Sequence, residues 1–80
     1  MHNRNNILLI EDQASLANDV MRFLQKNEYN CTHASSMQKA LRILKQNSFN
    51  TVLLDLGLPD GDGLSIIKHI KDNDPTCGVI

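Results

Sequence analysis

Eighty residues of 9.0 kDa, 41% hydrophobic and 21% charged, make one small globular domain and are too apolar for a disordered chain. Eight basic and nine acidic side chains give a formal charge of −1, and so no reason to expect binding of nucleic acid or a membrane surface, both of which need clustered positive charge. The apolar run at residues 7–10 is too short for a membrane span or a signal-peptide core, and Cys31 and Cys77 are too few for a disulfide scaffold and match no zinc-site spacing. The default reading is a soluble cytoplasmic protein with reduced thiols.

In chain order, Ile7-Leu8-Leu9-Ile10 is a continuous apolar block closed by Glu11-Asp12, the pattern of a strand buried on both faces. Leu16, Val20, Phe23 and Leu24 then recur at helical spacing, with Asp12 or Ser15 as the expected cap and Asn27 as the expected end. Residues 29–34 form a weaker strand candidate. Ser35 stands three residues before Gln38, the spacing of a capping box, and Met37, Ala40, Leu41 and Leu44 predict a second helix that stops at Asn47. Thr51-Val52-Leu53-Leu54 is another apolar block, again closed by an acid, Asp55. A turn-rich loop, Leu58-Pro59-Asp60-Gly61-Asp62-Gly63, leads to a third helix with Leu64, Ile66, Ile67 and Ile70 expected inward and Lys68 and Lys71 outward. Asp74-Pro75 ends it, and Gly78-Val79-Ile80 opens a fourth strand. This β-α-β-α-β-α-β alternation predicts an α/β domain built on a parallel sheet with helices over both faces.

The acids carry the chemistry. In an open parallel sheet, residues just past the carboxyl ends of neighbouring strands share one crevice, where ligands bind. If the first and third predicted strands are neighbours, Glu11, Asp12 and Asp55 converge there. Three carboxylates so close demand either a proton or a cation, and an oxygen-only donor set suits a hard ion, most simply Mg²⁺. The ordinary alternative is that acids after strands cap the next helix, a role open to Asp12 and Asp62. The loop after Asp55 holds Gly57, Pro59, Gly61 and Gly63 within seven residues, which shapes a defined backbone path or simply a tight connection.

At these residues the chain resembles a known family. Leu8-Leu9-Ile10-Glu11-Asp12, together with the run from Leu53 through Asp55, Gly57 and Pro59 to Gly63, is similar to the signature segments of the receiver domain of two-component response regulators. The resemblance extends over residues 7–80. It implies a flavodoxin-like parallel sheet of order 2-1-3-4-5, in which the first and third strands are adjacent. It also implies that Asp55 is the phosphoacceptor, that Glu11 and Asp12 hold Mg²⁺ directly or through water, and that the Gly57 carbonyl is a further metal ligand. The phosphodonor would be a sensor histidine kinase, and the module would signal rather than act as an enzyme. The run from Asp55 to Gly63 further resembles receivers joined to winged-helix outputs, which suggests transcription control by a longer parent protein.

The chain departs from the family in length. Receivers have five βα units in about 120 residues, so these residues read as a C-terminally truncated receiver domain. The hydroxyl residue ending the fourth strand and the lysine ending the fifth fall outside it. Truncation would leave the third strand with an open apolar edge, which a homodimer or a domain-swapped assembly could cover. Two other functions compete. Haloacid-dehalogenase-like phosphohydrolases also place an aspartate after an apolar strand but need an acid two residues later, where Gly57 stands. An inert pseudo-receiver used only for protein contact is the other. His2, His33 and His69 read as ordinary solvated or strand-end side chains, Cys31 as a small packing residue, and Cys77 as an unactivated thiol in a turn. Lys39, Arg42 and Lys45 make a solvated stripe rather than a DNA-contacting face.

Overall fold

An apolar run without alternation needs cover on both sides, and the chain meets that need by placing its first run inside a parallel sheet. The computed structural model describes residues 6–55 and 63–80. Strand β1 (Asn6–Ile10) lies between β2 (Asn30–Ala34) and β3 (Thr51–Leu54), and β4 (Gly78–Val79) lies outside β3. All pairings are parallel, and Ile10 is level with Ala34 on one side and Leu54 on the other. The order β2-β1-β3-β4 is the flavodoxin-like order expected from the resemblance, and it makes β1 and β3 neighbours.

Helices α1 (Ala14–Lys26), α2 (Met37–Gln46) and α3 (Gly63–Asn73) alternate with the strands. Because successive strand residues face opposite sides, Leu8, Ile10, Ala34 and Val52 enter one core with Met37 and Ala40 of α2 and Ile66 and Ile70 of α3. Ile7 and Leu9 are buried on the other side, where α1 buries Ala17 and Leu24. No helix among the described residues is long and apolar enough to cross a membrane.

Several expectations shift on this frame. β3 is not an open edge: Ile80 N–H donates to the Val52 carbonyl and Leu54 N–H to the Ile80 carbonyl, each at 2.9 Å, so the chain past α3 covers it and β4 is the outer strand. Leu64 points outward at 71% exposure, because the buried positions of α3 are Gly63, Ile66 and Ile70, and Leu64 sits about 100° around the helix from Gly63. Phe23 is likewise exposed at 65% and Leu16 is exposed, although both share the apolar pattern of α1. Ser36 rather than Ser35 caps α2, accepting from the Lys39 N–H at 3.2 Å, while the Ser35 hydroxyl meets the Lys39 ammonium. Neither Asp12 nor Ser15 caps α1; the cap residue is Gln13, whose side chain makes no capping bond.

His69 is half-buried rather than solvated and lines a cavity of about 80 Å³ between α2 and α3, with Leu44, Phe49 and Cys77. Cys77 itself belongs to the core, where burial first and Asp74 second push its thiol above the usual range, consistent with an unactivated side chain. His2, Gly57 and the loop at 58–62 lie outside the described residues.

Helix α1 ends at Asn27 as expected. Its terminus has the geometry of a Schellman turn: Tyr29 N–H donates to the Leu24 carbonyl and Glu28 N–H to the Gln25 carbonyl, each at 3.0 Å. Glu28 takes a left-handed φ of 69°, which a glycine adopts without the Cβ clash that costs an L-residue about 1 kcal/mol. Glu28→Gly should therefore raise the free energy of unfolding by about 0.5–1 kcal/mol in urea titration. A loss of stability would show that the turn is held by the glutamate itself.

Candidate metal centre

The sheet ladder extends one rung past the strand ends, and that extension builds the site. Asp55 N–H donates to the Ile10 carbonyl at 3.1 Å, which pins residue 55 beside the end of β1. Glu11 N–H donates to the Ala34 carbonyl at 3.0 Å, which pins residue 11 beside the end of β2. Two acids on different strands thus have their backbones fixed by hydrogen bonds to neighbouring strands. Glu11 is the one buried charged residue among those described, at 7% exposure; Asp55 is half-buried and Asp12 exposed. One Glu11 carboxylate oxygen accepts from the Gln13 N–H at 3.1 Å, so this acid also steadies the turn into α1.

Glu11, Asp12 and Asp55 each offer a carboxylate oxygen, and these oxygens lie within 4.8 Å of one another. At that spacing a pair of unit charges repels by about 1 kcal/mol in bulk water and about 3 kcal/mol at an effective dielectric constant of about 20. A small divalent cation relieves all three repulsions at once, and hard oxygen donors fit such an ion. The three acids singled out in the sequence are therefore brought together; the fourth expected ligand, the Gly57 carbonyl, falls outside the described residues. An open groove of about 460 Å³, floored by Leu9, Leu53 and Leu54 and walled by Leu16 and Val20, runs up to Glu11 and Asp55.

His33 joins the site unexpectedly. Its ring Nε2 lies 2.7 Å from the Glu11 carbonyl oxygen. A carbonyl only accepts, so Nε2 carries the proton and donates. Sequence reasoning missed this contact because it depends on the register of β1 against β2, which no local pattern carries.

Comparison with known proteins agrees with this geometry. Residues 7–80 match the family described as the response regulator receiver domain. The transcriptional regulatory protein BasR of Escherichia coli is 32% identical over 74 residues, which span 92% of this chain and 33% of BasR. The non-phosphorylated receiver domain of HemR from Leptospira biflexa superposes with a TM-score of 0.88 at 29% identity, covering 95% of this chain and 61% of that one. A response regulator from Burkholderia pseudomallei, whose crystal structure holds a phosphorylated aspartic acid, a calcium ion and citrate, superposes with a TM-score of 0.87 at 28% identity. That match covers 94% of this chain and 44% of the other. The chain thus spans about a third of the length of its curated relatives.

Mutual repulsion makes a testable demand on the ion-free protein. Asp12→Asn removes one of three converging charges while keeping the side-chain shape. Without divalent ions its thermal midpoint should lie above that of the unmodified protein, and added Mg²⁺ should raise it less. Equal midpoints in chelator together with an unchanged response to Mg²⁺ would mean that the three charges do not interact. Sheet order, strand-end acids and the match over residues 7–80 point the same way: the chain belongs to the response regulator receiver domain family.

Proposed function

We propose that this receiver domain takes a phosphoryl group onto Asp55 from the phosphohistidine of a sensor histidine kinase, with Mg²⁺ held by Glu11, Asp12 and Asp55. The observation that carries this reading is the convergence of the three carboxylates within 4.8 Å at the ends of two adjacent strands. The Burkholderia pseudomallei regulator, with its phosphorylated aspartic acid and a calcium ion, supports it by likeness. Gly57 is proposed as a further ligand through its carbonyl oxygen.

In the transfer, a carboxylate oxygen of Asp55 forms a bond to phosphorus while the bond between phosphorus and the donor imidazole nitrogen breaks. The imidazole leaves with that electron pair. Phosphoryl transfer passes through a loose transition state, so positioning and charge neutralisation matter more than the strength of the nucleophile. The backbone bond from Asp55 to Ile10 supplies positioning, since it fixes where the Asp55 side chain leaves the end of β3. Glu11, buried and bonded to the Gln13 N–H, would hold the cation from the end of β1. A bound Mg²⁺ would supply the positive charge that lets an anionic phosphoryl group approach an anionic nucleophile.

Relatives such as BasR are transcriptional regulators, which supports a transcriptional output for a longer parent acting in the cytoplasm. The proposed assignment is checked by incubating the protein with a small-molecule phosphodonor, acetyl phosphate, and locating the phosphoryl group by mass spectrometry. Mg²⁺-dependent incorporation at Asp55 is expected, with none in Asp55→Asn. Incorporation that persists in Asp55→Asn, or that ignores chelation of Mg²⁺, would overturn the assignment.

A further inference from the structure

In a parallel ladder, alternate residues of a strand turn both N–H and carbonyl toward the same neighbour. Glu11 turns both toward β2: its N–H reaches the Ala34 carbonyl, and its carbonyl looks for a donor two residues further along, at Ser36. Ser36, however, has left the sheet to cap α2. The His33 ring takes that rung instead, bonding back to the Glu11 carbonyl at 2.7 Å across 22 residues of sequence.

This bond acts on more than Glu11. The Glu11 carbonyl and the Asp12 N–H belong to one rigid peptide plane. Fixing the carbonyl therefore fixes the direction in which the chain leaves β1 and the position of the Asp12 Cα. Asp12 has an exposed side chain in a bend between β1 and α1, with little packing to hold it. We propose that His33 is a positioning residue for the metal centre: through its Nε2–H it orients the peptide plane between Glu11 and Asp12, so that both carboxylates face Asp55. The inference rests on the reading of the three acids as a divalent-cation site.

Replacing a group that orients metal ligands from outside the coordination sphere costs about 10-fold to 100-fold in affinity. The test measures Mg²⁺ affinity by calorimetric titration of the full chain, alongside the thermal midpoint in chelator, for three variants. His33→Ala removes the ring and its donor. His33→Phe keeps a ring without a donor. His33→Gln restores an N–H donor at similar reach. The expected pattern is about tenfold weaker Mg²⁺ binding in the Ala and Phe variants and recovery to within about threefold in Gln. That order should not follow the midpoints in chelator, because a merely structural role would rank the variants by stability. Unchanged affinity in His33→Ala, or equal losses in the Gln and Phe variants, would overturn the positioning role while leaving the acid site standing. Absence of Mg²⁺ binding by the unmodified protein is a different result; it would remove the metal centre itself and the positioning role with it.

Discussion

Like charges are brought together here by a hydrogen-bonded frame that leaves them little choice. Parallel pairing of β1 with β3 sets Ile10 level with Leu54, and the ladder's next rung, from the Asp55 N–H to the Ile10 carbonyl, brings Asp55 beside the acids that end β1. Backbone bonds of this kind cannot be given up without stranding polar groups at the sheet's end. The frame therefore keeps Glu11, Asp12 and Asp55 close together, and a divalent cation is the simplest partner that offsets their mutual repulsion. The proposed affinity for the ion and the proposed acceptance of an anionic phosphoryl group would share this one origin.

The rest of the fold serves that frame. Leu8, Ile10 and Val52 are fully buried, so β1 and β3 cannot slide relative to one another without turning apolar side chains to the wrong face. Helices α2 and α3 cover one side through Met37, Ala40, Ile66 and Ile70, and α1 covers the other through Ala17 and Leu24. Exposed Phe23, Leu64 and Ile80 lie outside this packing. The acids thus stand at the ends of the two strands that this buried packing holds in register.

Strand identity and the acids were legible because they rest on local composition: a short run such as Ile7-Leu8-Leu9-Ile10 closed by an acid says strand and strand end together. Strand order was not legible from the residues; it came with the resemblance to receivers, whose signature at Asp55 to Gly63 is specific. What failed were features set by angle and register. Leu64 is apolar but lies on the wrong side of α3, and Ser36 outcompetes Ser35 as a cap by one residue. The Schellman turn at Glu28 escaped notice because the usual glycine is absent. His33 escaped because its partner is 22 residues away.

The proposed shared-ion site is tested most directly with a paramagnetic substitute for Mg²⁺. Titrating Mn²⁺ into isotopically labelled protein and following backbone resonances should broaden those of Glu11, Asp12 and Asp55 first and together, with Mg²⁺ competing the effect away. Broadening centred on another part of the sheet, or confined to one of the three acids, would contradict the account.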